Sequence, residues 1–232
     1  MNYSGTELAL FQQATHWKHY WASRLIPLIH GDVLEVGAGI GSNTRLLLPK
    51  CNFHSWTLLE PDADLFQQLS DLKVTGHPCT LEHYLKLPSS GKVKKFDTIL
   101  YLDVLEHISS DHQEIELVSK LLNPDGTLIV LAPAHQFLFS PFDQSIGHFR
   151  RYNKSSLRQL VPAPLFSEES LEYLDSLGTL ASMLNRFLLR KHQPSTADIL
   201  FWDRFLVPVS RTIDPLFQFS IGKTIIGVWK RR

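Results

Sequence analysis

Two groups of residues in this 232-residue chain have the types and spacing for chemistry. The first is the run from Val33 to Thr44. An apolar, β-branched stretch carries an acid, Glu35, and three glycines follow at alternate positions, Gly37, Gly39 and Gly41. Glycine reaches backbone angles that other residues resist and lets a ligand approach the main chain closely. The helix-like segment after the turn begins with unpaired N–H groups. Such a turn suits a nucleotide-like ligand. A second acid, Glu60, ends another apolar run about twenty residues on, where one carboxylate can take both hydroxyls of a ribose. The second group is Asp143, His148, Arg150, Arg151 and Tyr152, with His107 upstream. Histidine is suited to proton transfer near neutral pH, and arginine to clamping a carboxylate or phosphate. The competing reading is an ion pair between Asp143 and Arg150 or Arg151 that orders a loop, and both readings can hold together.

These groups need a frame. Apolar runs read as strands at 32–36, 55–60, 73–76, 96–101, 127–131, 170–177 and 221–229. Helical patterns fall between them, at 8–29, 43–48, 63–72, 111–122, 155–160 and 180–189. Segment 91–95 reads as a solvated loop. Strands alternating with helices imply a parallel α/β sheet with right-handed crossovers. The candidate groups then fall at the carboxyl ends of strands, where ligands sit in open α/β sheets. An aromatic stretch at 199–219, divided by Pro208 and Pro215, reads as a helical insertion covering the pocket.

Composition narrows the field. Formal net charge is zero, which argues against a general polyanion binder and so against a nucleic-acid partner. Two cysteines, Cys51 and Cys79, form no disulfide framework and read as reduced thiols. Residues 1–14 lack the basic start and apolar core of a secretion signal. Charged residues interrupt every apolar run, so no integral membrane segment is expected, and a cytoplasmic location is. His16 and His19 have the spacing of a metal pair but no third ligand, so no metal is expected. Trp17, Tyr20 and Trp21 fall at helical spacing, which suits core packing.

Three ordered stretches resemble a known family: Leu34-Glu35-Val36-Gly37-Ala38-Gly39-Ile40-Gly41, then Leu59-Glu60-Pro61-Asp62, then Leu102-Asp103-Val104-Leu105-Glu106-His107. Together they are similar to the motifs of class I S-adenosylmethionine-dependent methyltransferases, closest to the group that includes the ubiquinone-biosynthesis methyltransferases. A further stretch from Ser140 to Tyr152 is similar to a subgroup of mostly uncharacterised bacterial members. The resemblance implies a Rossmann-like, doubly wound sheet of seven strands, mostly parallel with an antiparallel last strand. It implies S-adenosylmethionine as cofactor, released as S-adenosylhomocysteine. By motif position the cofactor falls to Glu35, Gly37, Ala38, Gly39, Gly41, Asn43, Glu60, Pro61, Asp103 and Val104, and its adenine to Thr80 and Leu81. There the chain has His77-Pro78-Cys79-Thr80 where the family often has Gly-Asp, a departure at the adenine end. Glu35 could instead cap the following turn, and Glu60 could be a solvated loop acid.

His107, Asp143 and His148 are the candidate bases. Trp17, Tyr20, Arg150, Arg151 and Tyr152 are the candidate acceptor contacts. The expected organisation is one domain over 1–232, with a helical lid at 1–30 and insertions at 134–154 and about 180–219 over the active site. The expected acceptor is a small molecule, apolar or lipid-linked if the aromatic insertion lines its path. The rivals are a nicotinamide-dependent oxidoreductase and a non-catalytic cofactor-binding module. The first wants G-x-G-x-x-G, but here the third glycine comes one residue early.

Overall fold

The computed structural model describes residues 6–88, 94–186 and 194–232. Seven strands form one sheet: β1 (His30–Val36), β2 (Asn52–Leu59), β3 (Thr75–His77), β4 (Phe96–Leu102), β5 (Leu122–Pro133), β6 (Phe166–Leu174) and β7 (Thr224–Arg231). Their order is β3-β2-β1-β4-β5-β7-β6. The β3, β2, β1, β4 and β5 neighbours pair in parallel, while β7 runs antiparallel to both β5 and β6. This is the Rossmann-like α/β sheet the motifs imply.

The helices are α1 (Thr6–Gln12), α2 (Thr15–Leu25), α3 (Ser42–Leu47), α4 (Ala63–Gln67), α5 (Leu81–Lys86), α6 (Asp111–Leu121), α7 (Pro141–Ser145), α8 (Lys154–Leu160), α9 (Ser176–Leu184), α10 (Thr196–Phe201) and α11 (Val207–Ile213). A π-helical turn, Trp202–Leu206, joins α10 to α11. Two apolar clusters, one on each face of the sheet, bury the central strands, as parallel sheets require.

Several boundaries differ from the sequence reading. Helix α5 appears where none was read, because Thr80 caps it through the His83 N–H. The turn at 123–126 lies within β5, with a register shift where β4 meets it. Strand β6 starts earlier and ends earlier than 170–177, since Asp175 leaves the strand at φ 68° to cap α9. The end of the helix expected at 180–189, and most of the loop at 91–95, lie outside the described residues. Helix α2 buries Trp17, Tyr20, Trp21, Ala22 and Leu25 in the core, so it is a wall of the fold.

Candidate active site

One cleft of about 2160 Å³ opens at the carboxyl ends of β1, β2, β4 and β5. Its first end is built from main chain. After β1 the chain turns through Gly37 (φ 72°) and Gly39 (φ 55°) into α3. A side chain at Gly39 would combine a strained backbone with contact to Leu8 of α1. The Glu60 carboxylate latches this turn to the next one, accepting from the Gly39 N–H at 2.7 Å and the Asp62 N–H at 2.9 Å. Glu60 is 5% exposed yet lines the cleft, and burial raises its pKa. Ala38, Asn43, Pro61, Thr80, Leu81, Asp103 and Val104 line the same region.

Two residues assigned to the cofactor sit elsewhere. Glu35 is 2% exposed beneath the turn and does not line the cleft. Its carboxylate accepts from the Thr44 hydroxyl and the Trp56 indole N–H, so it ties α3 and β2 to β1. Burial pushes its pKa up to about 7 despite those two donors. Gly41 is buried with φ 75° and precedes α3, where a side chain would strike Arg45 and Leu69. Its role is the turn itself.

Asp103 ends β4 in a left-handed conformation (φ 59°) that a short polar side chain tolerates. It is open to the cleft's solvent yet hemmed in by the cleft walls, and this crowding pushes its carboxyl up to about 6 against the pull of His148, Lys18 and Lys223. Lys18, from α2, reaches the Ser42 hydroxyl at 2.7 Å, and burial lowers it to about 8. Sequence reasoning missed Lys18, because its signal was drowned by the aromatics around it.

The second end is built from side chains. Phe11, Trp17, Phe142 and Trp202 form an aromatic wall, with ring centroids 5.7–6.4 Å apart in contacting pairs. Against it stand Glu106, His107, His148 and Arg151, all lining the cleft. The loop after β5 is fastened to the loop after β4. Arg150 pairs with Asp111 at 2.5 Å and donates to the Ile108 and Ser109 carbonyls. The Tyr152 hydroxyl donates to Asp111 at 2.8 Å and to the Leu105 carbonyl at 3.2 Å. Neither lines the cleft, and the bonds of both fasten the loop. Tyr20 is likewise corrected: it is buried in the core and its hydroxyl donates to Asp214. Trp17 and Arg151 do face the cleft.

Asp143 is corrected as a base. It is 1% exposed, Arg151 Nε and Nη2 donate to Oδ1 and Oδ2 at 2.9 Å each, and the Ser140 hydroxyl donates to Oδ2 at 2.7 Å. His148 Nδ1 lies 3.0 Å from Oδ1. Burial alone would raise this carboxyl, but these donors outweigh it and hold it well below the usual range. A carboxylate so strongly held in its ionised form is a poor proton acceptor. His107 sits in a 3-10 turn, with its ring 4.5 Å from the His148 ring in edge-on contact. Burial, and then the neighbouring His148, push it down to about 4. Glu106 was read only as part of a motif. Its signal was an acid directly before a candidate base.

Comparison with known proteins places this geometry. Residues 34–128 match the family described as methyltransferase domain. A 133-residue stretch is 25% identical to part of a hybrid PKS-NRPS synthetase of Hapsidospora irregularis, over 52% of this chain and 3% of that protein. An uncharacterised protein of Mycobacterium tuberculosis is 28% identical over 47% of this chain and 38% of its own length. The chain thus spans well under half the length of these relatives. Among solved structures, a SAM-dependent methyltransferase of Archaeoglobus fulgidus aligns with TM-score 0.60 and 13% identity, covering 98% of this chain and all of that one. The N-methyltransferase NodS of Bradyrhizobium japonicum, bound to S-adenosylhomocysteine, aligns with TM-score 0.56 and 14% identity, over 94% of this chain and 88% of that one. These structural likenesses show the fold. The glycine turn and the Glu60 latch provide main-chain and carboxylate groups of the kind a sulfonium nucleoside needs, in a cleft roomy enough for a second molecule beside it. The methyltransferase-domain match at 34–128 carries the three motifs in order, and the sheet around them has the fold of solved S-adenosylmethionine-dependent methyltransferases.

Proposed function

We propose that this protein transfers a methyl group to an apolar or lipid-linked small molecule. The observation that carries the reading is the asymmetry of the cleft: one end is main chain and Glu60, the other an aromatic wall that opens onto more apolar surface. Leu184 and Phe201 line the cleft while being 50% and 57% exposed. The Phe201 ring packs on the exposed Phe205 ring at 5.3 Å, and Val209, Leu216 and Phe217 are exposed in the segment that follows. Contiguous exposed apolar surface marks binding sites more often than chance exposure does. Among the described residues no helix is long and apolar enough to cross a membrane, so this surface would meet an acceptor's chain from outside.

S-adenosylmethionine supplies, when bound, a methyl carbon activated by its sulfonium. The chain's own residues do the rest. Gly37, Ala38 and Gly39 offer their main chain to it, with Glu60 at the sugar and Asp103 near the methionine end. Phe11, Trp17, Phe142 and Trp202 exclude water from the acceptor end and limit its orientations. Alignment of this kind contributes roughly 7–11 kcal/mol toward the barrier of a two-body reaction. The acceptor's polar head meets Glu106, His107 and His148.

The test is transfer of tritiated methyl from labelled S-adenosylmethionine to lipid extract and, separately, to water-soluble extract. Label recovered in the organic phase is expected. Label confined to water-soluble products would overturn the apolar acceptor while leaving methyl transfer standing.

A further inference from the structure

Glu106 is fully buried, and neither of its carboxylate oxygens meets a hydrogen-bond donor from another residue. Buried polar atoms are almost always partnered, and a buried carboxylate without a donor is costly. Two imidazoles face it. One atom from each of Glu106, His107 and His148 lies within 4.8 Å of the other two. His148 Nε2 stands 3.8 Å from Glu106 Oε1, too far for a hydrogen bond. Three ligand-type atoms therefore converge on one point of the cleft wall.

The far sides of both rings are committed. His148 Nδ1 is 3.0 Å from the Asp143 carboxylate, which is itself gripped by Arg151 and Ser140. An ionised Asp143 takes a proton-bearing Nδ1, which leaves Nε2 as the lone-pair nitrogen. His107 bonds to the Gly147 backbone, close to its Nδ1. Carboxylates and carbonyls behind imidazoles in this way orient rings for a metal. Asp143 is thus a positioning residue with a definite object.

From this geometry we infer that Glu106, His107 and His148 form a binding site for a divalent first-row transition cation, such as manganese, iron, cobalt or zinc. Two imidazoles and one carboxylate suit that class better than magnesium or calcium, which prefer all-oxygen shells. One cation also answers the charge in the pocket, where Glu106 and Asp103 lie near each other in a crowded cleft wall. Three protein ligands leave coordination positions open, and all three residues line the cleft. An oxygen on the acceptor's head would complete the shell. That last role rests on the methyl-transfer reading; cation binding does not.

The test uses the full-length protein, stripped with a chelator and titrated with cobalt(II), manganese(II) and zinc(II) by calorimetry, with visible absorption followed for cobalt. One ion per chain is expected for at least one of the three. Glu106→Gln and His148→Ala should each weaken binding at least tenfold. Asp143→Asn should weaken it on the order of 10- to 100-fold, as loss of a partner behind a ligand does. His16→Ala, at the separate His16–Asp203 pair, should change nothing. Thermal melts of Glu106→Gln, which removes only a buried charge, check that the variant folds. S-adenosylhomocysteine is titrated into the stripped protein in parallel. No stoichiometric binding of any of the three ions, with S-adenosylhomocysteine still bound, would refute the cation site and spare the methyltransferase reading. Binding that Glu106→Gln and His148→Ala leave intact would refute it equally.

Discussion

The two ends of the cleft are built by different means. The cofactor end comes from short βα turns, each contiguous in sequence, and what it offers is largely main chain: the Gly37 and Gly39 backbone, and a carboxylate latched to N–H groups. The acceptor end comes from side chains carried by segments far apart. Trp17 there touches Trp202, and the Trp17 N–H is capped by Asp203 across 186 residues of sequence. The lesson is where each end is vulnerable. A turn made of backbone fails when a side chain is added. A cluster made of remote charges fails when one charge is removed.

The largest effect should follow Asp143→Asn. This removes the charge that Arg151 and His148 share in a site 1% exposed, and stranding a buried partner costs about 3–5 kcal/mol. Denaturant unfolding should show that loss while S-adenosylhomocysteine affinity changes little, because the turn at the other end is untouched. A loss of cofactor affinity as large as the loss of stability would erase the distinction between the ends.

Gly39→Val tests the opposite end. A β-branched residue at φ 55° is strained, and its bulk enters the space between the turn and Leu8. Affinity for S-adenosylhomocysteine should fall at least about 100-fold, near 2.7 kcal/mol, with a small change in melting temperature. Calorimetric binding close to wild type would remove Gly39 from the site.

The same contrast explains what was legible in the sequence. Gly37, Gly39, Glu60 and Asp103 could be read because strand, turn and acid follow one another within a few residues, and the seven-stranded sheet follows from the same rhythm. The acceptor end was read only in part. Arg150 and Tyr152 have the chemistry of contact residues, but Asp111, some forty residues earlier, claims both. Tyr20 is claimed by Asp214 across 194 residues. Glu106 passed as a motif letter, since nothing in a sequence reveals that a carboxylate will be buried without a donor. Helix α2 has no side-chain cap of its own, and Asp203 supplies one from the insertion. Partners separated by most of the chain leave no local pattern.

Glu35 sharpens the comparison from beneath the cofactor turn. Its pKa is about 7 in the folded protein against an ordinary 4.5. An acid raised on folding holds its proton better in the native state, so stability falls as pH rises from about 4.5 to 7 and is level above that. The difference corresponds to roughly 3 kcal/mol. Glu35→Gln keeps an acceptor for Thr44 and Trp56 and removes the charge. Its unfolding free energy should lose this slope, and the variant should be the more stable protein at pH 8. An unchanged slope would mean that Glu35 ionises freely, as a residue open to the cleft would.

Tyr152→Phe should give the smallest effect and is the most discriminating test of the acceptor end. The variant loses hydrogen bonds to Asp111 and to the Leu105 carbonyl, but Arg150 still satisfies Asp111, so the cost should be about 1 kcal/mol. Tyrosine and phenylalanine otherwise fill the same buried volume, so the loop after β5 should stay in place over Glu106. Methyl transfer to lipid extract should therefore keep its rate and its dependence on extract concentration within about twofold. A residue touching the acceptor would instead shift that concentration dependence while leaving the melting temperature alone. Finding that pattern would move Tyr152 from the scaffold into the site and show that the loop's fastening and its chemistry are carried by the same side chains.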